Sequence, residues 1–180
     1  MQADWRRIGL SDGVNGLGAT RINDHAEACS KHGVPPDLNA YLSGRTQGFL
    51  TYCQPANGFS LGRRGAPANA AECAVELRPG FAEQHRRGSE IHAIESDLRH
   101  REASLHDNDR QIRRNEARIA RIRGELARKD LPADRRTALL NEYEQLVHES
   151  HILGRQNDFL RSQARHLYFH LQTRLRDFGF

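Results

Sequence analysis

The sequence has no long apolar run and only two lysines. The first fact argues against a membrane-spanning helix, and the second concerns how its many arginines are interpreted. The mean hydropathy is -0.77, and no stretch approaches the roughly 18 uncharged apolar residues that a membrane-spanning helix needs. Only Lys31 and Lys129 are lysines among 27 basic residues, a bias that reflects genome composition rather than a demand for bidentate anion binding. We therefore expect a soluble chain, without a targeting segment in the sequence as given.

Glycine, proline and cysteine are concentrated in one part of the chain. Residues 1–80 hold 11 of the 15 glycines, 5 of the 6 prolines and all 3 cysteines. Charge does not change at the same point, since residues 1–80 carry 8 basic and 7 acidic residues and residues 81–180 carry 19 and 16. We predict an all-α protein with a small glycine-rich helical domain at 1–80 and a long helical hairpin at 81–180.

Apolar residues in the C-terminal part repeat every seven residues on two successive segments. They are Ile91, Leu98, Leu105, Ile112, Ile119 and Leu126 on the first, and Leu139, Leu146, Leu153, Leu160 and Leu167 on the second. This spacing predicts two long helices, each with one apolar stripe. Between them, Asp130 and Pro132 are typical of a helix start, so we expect the chain to turn back near 129–133.

An antiparallel hairpin brings together residues whose numbers add up to a constant, and 265 fits every layer of the two stripes. The same constant places Asn108 opposite Asn157 and Asn115 opposite Ser150, so polar layers meet polar layers. A buried asparagine layer fixes the register of a coiled coil and lowers its stability. We therefore predict that the side chains of Asn108 and Asn157 face each other.

Four further apolar residues lie on the flanks of the second helix, outside its stripe: Leu140, Val147, Ile152 and Phe159. Exposed apolar surface of this extent is typical of an interface. We expect a protein partner or a second copy of the chain to cover these residues. The simplest arrangement is an antiparallel two-fold dimer whose hairpins form a four-helix bundle.

The turn end of the hairpin is basic. Residues 110–136 carry 10 basic and 4 acidic residues, whereas the rest of 81–180 carries 9 and 12. The basic residues of this tip include Arg114, Arg118, Arg121, Arg128 and Arg135. Such a tip suits an anionic envelope surface, meaning anionic lipid or lipopolysaccharide, and the alternative is a solvated surface with salt bridges. Because no aromatic side chain interleaves these arginines, we expect no nucleic-acid binding.

Large rings and glycines recur at helical spacing in the N-terminal part. They are Trp5, Gly9, Gly13 and Gly16, and again Tyr41, Gly44, Gly48 and Tyr52. Glycine is unfavourable in a helix by roughly 1 kcal/mol relative to alanine, so repeated glycines on one face predict helices whose backbones nearly touch. We expect short helices near 4–15, 22–32 and 37–52, and an irregular loop at 54–72.

The pattern of residues 4–88 resembles the proteobacterial domain of unknown function numbered 2799. The positions that carry the resemblance are Asp4, Trp5, Gly9, Asp12, Gly13, Gly16, Cys29, Asp37, Tyr41, Gly44, Gly48, Tyr52, Cys53, Gly58, Gly62, Gly65, Cys73, Phe81 and Gly88. The resemblance implies a small exported protein, often a lipoprotein, with a helical coiled-coil tail and no defined catalytic motif. The expected location is the bacterial periplasm, with a lipid anchor in the full-length precursor left open.

Three cysteines leave one unpaired in an exported protein. Cys53 and Cys73 flank the glycine-rich loop, and a bond between them would stabilise a segment with little core of its own by about 3 kcal/mol in the loop-entropy model. Cys29 would then be free; the family pattern commonly has another cysteine just upstream of the Asp-Trp pair. The alternative is a cytosolic protein with three thiols. Zinc is disfavoured because no Cys-x-x-Cys pair is present.

The chain contains no pattern typical of catalysis. It has no Gly-x-Ser-x-Gly nucleophile elbow, and its ten histidines include no set with an acidic metal ligand beside it. We predict a non-catalytic interaction or scaffolding protein, an inhibitor of a periplasmic partner included, without metal or cofactor. The alternative is a ligand-binding or enzymatic domain in residues 1–80, centred on Asp12, Asp37 and Arg45.

Overall fold

A computed structural model describes residues 3–31 and 33–179, and the regular elements of these residues are all helical. In chain order they are α1 Trp5–Val14, α2 Ile22–Ser30, α3 Leu38–Tyr52, α4 Pro55–Arg63, α5 Arg78–Leu126 and α6 Ala133–Asp177. Single 3₁₀ turns precede α2, at Ala19–Arg21, and α5, at Ala70–Glu72. The all-α fold class is confirmed. No helix in the described part of the chain has both the length and the apolarity of a membrane span.

The chain divides into two compact units, Met1–Ala93 and Ile94–Phe180. The division falls inside α5, because the first turns of α5 pack on α4 while its later turns pair with α6. The change in composition near residue 80 therefore marks the start of α5 rather than the end of the first unit.

Side-chain caps explain where α1 and α3 begin. The Asp4 carboxylate accepts a hydrogen bond from the Arg7 backbone N–H at 3.0 Å, and the Asp37 carboxylate accepts one from the Ala40 N–H at 2.9 Å. Each satisfies one of the backbone donors that a helix start leaves unpaired. The predicted starts at 4 and 37 agree with these caps. His32, where the second helix was predicted to end, lies outside the described residues.

Helices α1 and α3 cross with their backbones in contact. A Cβ atom added to Gly9 would collide with the carbonyl oxygen of Tyr41, and one added to Gly44 would collide with the carbonyl oxygen of Arg6. Gly13 and Gly48 meet the opposite backbone in the same way. The predicted crossing at glycines is confirmed, and a small-xxx-small face is the sequence pattern that permits it.

The prediction of an irregular loop at 54–72 was wrong, because this segment contains α4. Pro55 suits the first turn of a helix, where its missing N–H removes no hydrogen bond. Gly58 and Gly62 lower helix propensity, yet both lie against the backbone of α5, and Gly88 of α5 returns the contact. Tertiary packing thus overrides propensity here.

Among the described residues, the core of the first unit includes two apolar clusters. The first contains Trp5, Ile22 and Tyr41. The second contains Phe49, Tyr52, Phe81 and the disulfide between Cys53 and Cys73, so the predicted disulfide is confirmed. The bond links two cysteines that are 20 residues apart and enclose α4. Such a cross-link reduces the number of conformations open to the unfolded chain.

The second unit is an antiparallel hairpin in the predicted register. Asn108 Nδ2 donates to Asn157 Oδ1 at 2.9 Å, and Asn115 Nδ2 donates to Ser150 Oγ at 3.3 Å. Asn157 is only 2% exposed, so its layer lies inside the seam between the helices. Both predicted polar layers are confirmed.

Replacing both Asn108 and Asn157 with leucine should raise the free energy of unfolding of the chain by about 1–3 kcal/mol, because two apolar side chains replace a buried polar pair. Denaturant titration followed by circular dichroism measures the change, with Asn141→Leu, at an exposed position of α6, as the control. A loss of stability would contradict the interpretation that the Asn108–Asn157 layer fixes the register and does not stabilise the hairpin.

Candidate functional sites

Ion pairs close one flank of the hairpin near its turn. Arg118 of α5 donates from Nε and Nη2 to the two carboxylate oxygens of Glu142, at 2.6 and 2.7 Å. Arg135 of α6 donates to Glu125 at 2.9 Å. Hydrogen bonding to these arginines lowers the pKa of both glutamates, and bonding to Glu142 raises the pKa of Arg118. We call these four residues the ion-pair flank.

The opposite flank of α6 carries three large apolar or aromatic residues, one glycine and one arginine at one heptad position beside the seam. Its members are Leu140, Val147, Gly154, Arg161 and Tyr168, and we call them the Leu140 flank. Leu140 is 45% exposed and Tyr168 is 57% exposed. Arg161 lies 4.0 Å from Asp109 of α5, which places both on the same side of the seam. Only Leu140 and Val147 were predicted from the sequence, although their spacing of seven residues also identifies the other members.

Ile152 and Phe159 lie on a different face of α6. Ile152 lies five positions after Val147. At about 100° per residue, this places Ile152 roughly 140° around the helix from the Leu140 flank. Phe159 is 64% exposed. The four residues predicted as an interface therefore form two separate patches, and a single partner helix contacts one patch or the other.

The seam itself is only partly covered. Its ends are buried at Ile94, Ile122, Leu139 and Leu171. Between these ends the seam residues have intermediate exposure, and they include Leu98, Leu105, Ile112, Leu153, Leu160 and Leu167. In a hairpin, each of these side chains is covered only by the opposite helix. Full burial would need a further packed element.

The basic tip contains a continuous outward face formed by α5 and the two residues that follow it. All its residues are exposed and all are arginine, alanine or glycine: Arg110, Arg113, Arg114, Ala117, Ala120, Arg121, Gly124, Ala127 and Arg128. We call it the arginine face. Arg128 pairs with Asp130 at 3.0 Å and Arg110 with Asp107 at 2.6 Å. Of the five tip arginines named from the sequence, three lie on this face, whereas Arg118 and Arg135 belong to the ion-pair flank.

Asp12 is the centre of a buried polar network in the first unit. Tyr41 Oη donates to Asp12 Oδ2 at 2.7 Å, and His25 Nε2 lies 2.8 Å from the same oxygen. Burial and the hydrogen bond to Asp12 raise the pKa of Tyr41 to about 12. The network joins α1, α2 and α3. Sequence reasoning missed His25 and Tyr41 as partners, because contacts over this chain separation leave no periodic pattern.

Asp12, Asp37 and Arg45 each have separate structural partners. Asp37 is exposed and caps α3. Arg45 is 8% exposed, donates to the Leu17 carbonyl oxygen at 2.9 Å and pairs with Glu72 at 2.9 Å. The groove beside Asp37 and the groove beside Arg45 have no lining residue in common. These contacts favour a structural role for all three.

The free cysteine and the candidate metal ligands form no further site in the described residues. Cys29 is a free thiol, partly buried against the Trp5 cluster. Within residues 3–31 and 33–179, no three histidine, cysteine, aspartate or glutamate side chains are grouped so that they would hold a metal ion.

Comparison with known proteins identifies one part of the chain. Residues 4–90 match the family described as "Protein of unknown function (DUF2799)", which confirms the resemblance seen in the sequence. No curated protein and no solved structure matches the chain significantly. The match covers the glycine crossings and the disulfide and ends before the hairpin.

Tyr41→Phe should lower the free energy of unfolding by about 1–3 kcal/mol, because it removes a hydrogen bond to the buried Asp12 carboxylate. The raised pKa of Tyr41 adds a pH signature: its stabilisation is present below pH ~10, the ordinary tyrosine pKa, and is lost as the pH rises toward 12. Denaturant titrations at neutral and alkaline pH measure both effects. Tyr168→Phe, at an exposed position, is the matched control; equal losses in the two variants would contradict the assignment.

Proposed function

We propose, for a chain whose residues 4–90 form a DUF2799 domain, that the protein is a non-catalytic interaction or scaffolding module of the bacterial envelope. The observation that carries the proposal is the Leu140 flank, where exposed apolar side chains adjoin a half-buried seam. A protein partner lying on this flank would cover the flank and the open side of the seam together. Inhibition of a periplasmic partner is one form that such binding takes.

Energetics support a partner at the Leu140 flank rather than at the ion-pair flank. Apolar surface gains about 25 cal/mol for each Å² removed from water, so covering Leu140, Val147 and the seam is favourable. The ion-pair flank offers charged groups whose hydration would be lost in an interface. The Leu140 flank, which exposes more apolar surface although Arg161 lies 4.0 Å from Asp109 there, is therefore the better docking surface.

The envelope location is supported by the disulfide and by the family resemblance. Disulfides persist in oxidising compartments such as the bacterial periplasm, and Cys53 and Cys73 are bonded. A lipid anchor in a longer precursor is part of this proposal. The competing function is a ligand-binding or enzymatic domain centred on Asp12, Asp37 and Arg45, and their separate structural contacts disfavour it.

A photo-reactive amino acid at position 147 tests the interaction role. Irradiation in envelope extract of the source bacterium should give a discrete adduct, and Leu140→Glu in the same chain should abolish it, because the charge disfavours burial. The control carries the photo-reactive residue at position 141, on the outward side of α6. Equal adducts from the two positions, or none from position 147, would contradict the proposal.

A second candidate function follows from the arginine face. Its helical members, from Arg110 to Gly124, span roughly 21 Å at 1.5 Å per residue, and none of its nine residues has an acidic or a large apolar side chain. A protein interface is normally anchored by large apolar or aromatic residues, and single-stranded nucleic acid stacks on aromatic ones. The composition fits the phosphates of an anionic membrane surface, which attract basic side chains by about 1 kcal/mol each.

Arg113→Glu with Arg121→Glu should reduce binding to vesicles that contain phosphatidylglycerol at least tenfold, because four units of charge are reversed at one face. Co-sedimentation measures binding, and vesicles of phosphatidylcholine alone serve as the neutral surface. Arg99→Glu with Arg155→Glu is the matched control, with the same charge change at exposed positions elsewhere on the hairpin. Similar losses in both variants would refute a specific arginine face.

A further inference from the structure

We propose that a groove between α5 and α6 binds a phosphate group through Arg101, an arginine in the seam of the hairpin. The groove has a volume of about 370 Å³ and is lined by Arg101, Ser162, Gln163, His166 and Leu167. None of these residues belongs to the Leu140 flank or to the arginine face. The inference therefore goes beyond the functions proposed for those two surfaces.

Arg101 occupies a seam position of α5. The residues that share this position at a spacing of seven are Ile94, Arg101, Asn108, Asn115 and Ile122. Both isoleucines and Asn115 are buried. In the register that the asparagine layers establish, Arg101 lies opposite Ala164, one heptad further from the turn than the Asn108–Asn157 pair. A guanidinium therefore stands where the two helices otherwise meet through apolar, amide or hydroxyl side chains.

The Arg101 layer lacks the internal partner that the two asparagine layers have. Each asparagine layer closes with a hydrogen bond across the seam, whereas the Ala164 side chain offers Arg101 no acceptor. In the part of the chain that the structure describes, Arg101 Nε is buried without a hydrogen-bond partner, and no carboxylate pairs with the side chain. A buried donor without an acceptor is unfavourable, so this layer favours an acceptor from outside the chain.

The contrast with Arg118 shows what is different at Arg101. Arg118 donates to both carboxylate oxygens of Glu142. Gln163, which lines the groove, lies three heptads after Glu142 and occupies the same heptad position of α6. A neutral amide therefore replaces the carboxylate on this side of the seam, and the positive charge of Arg101 is left for a ligand.

Charge near the groove favours an anion. Residues 159–176 of α6 contain four arginines and no acidic residue. On α5 the nearest acidic residues in the sequence are Asp97 and Glu102, and both are exposed. Because a stretch of one sign of charge attracts counter-ions of the other sign, the α6 side of the groove concentrates anions.

The donors around the groove suit phosphate better than a carboxylate. Arg101 is half-buried, so its guanidinium is reached from the groove, and rotation of the flexible side chain turns Nε toward a ligand. A guanidinium binds phosphate through two parallel hydrogen bonds. The remaining phosphate oxygens can accept from Ser162, Gln163 and His166 on α6, whereas a carboxylate has no further oxygen to offer them.

Titration of the full chain with inorganic phosphate, followed by NMR, tests the site. The Arg101 Nε–H signal and the Gln163 side-chain amide signal should shift and saturate at millimolar phosphate, with ionic strength held constant by chloride. Acetate should bind about tenfold more weakly, because it leaves donors of α6 unpaired. Equal affinity for the two anions, or no saturation with phosphate, overturns the inference.

Arg101→Gln should weaken phosphate binding about tenfold, because it removes charged hydrogen bonds; the Gln163 amide signal reports the affinity. Arg99→Gln, the same change at an exposed position of α5, is the control and should leave the affinity nearly unchanged, because exposed charges are screened by salt. Equal losses in the two variants overturn the site. Gln163→Ala is a second variant that keeps Arg101, and it should also weaken binding, read from the Arg101 Nε–H signal.

The phosphate could belong to a soluble phosphate ester or to a lipid headgroup, and two further probes separate these sources. Saturable binding of glycerol 3-phosphate, with equal co-sedimentation of the unmodified chain and Arg101→Gln on vesicles that contain phosphatidic acid, supports a soluble ester. Vesicle binding that is lost in Arg101→Gln but kept in Arg113→Glu with Arg121→Glu supports a lipid phosphate. Binding of neither probe through Arg101 overturns the inference.

Discussion

Two helices cannot bury an apolar seam from every side, and the architecture of the second unit depends on this constraint. Away from its buried ends and its asparagine layers, the seam is covered by the opposite helix and left open at its sides, so Leu105 and Leu160 remain partly exposed. The ion pairs at Arg118 and Arg135 lie across one flank and discourage burial there. The other flank exposes Leu140 and Tyr168 beside Arg161, so part of its apolar surface is left uncovered.

The first unit solves a similar problem by different means. It is too small to bury long apolar stripes, so α1, α3, α4 and the start of α5 use glycines to bring backbones together. Dispersion contacts between closely packed backbones replace the contacts of large side chains. The disulfide then connects the end of α3 to the segment before α5, and the contact of His25 with Asp12 connects α2 to α1. Asp12, Arg45 and Tyr41 are thereby engaged within the fold, and the surface proposed for binding lies on the hairpin instead.

Much of the second unit was predictable because its information is periodic. A spacing of seven defines the stripes, and the polar layer at Asn108 and Asn157 selects one register. Helix α4 was missed because Gly58 and Gly62 have low helix propensity, and their compensation comes from α5, which is distant in sequence. The network around Asp12 was missed for the same physical reason. The division of the flank residues into two patches, by contrast, was available from helix geometry alone.

The buried asparagine layer restricts how the length of the hairpin changes over evolutionary time. Inserting one or a few residues into α5 would rotate every later seam position out of the seam and separate Asn108 from its partner. Only an insertion of whole heptads, matched on both helices, preserves the layers. Chains related to this one should therefore differ in hairpin length in steps of one heptad, about 10.5 Å at 1.5 Å per residue. The asparagine layer would keep the same position in each of them, and the added heptads would lie to either side of it.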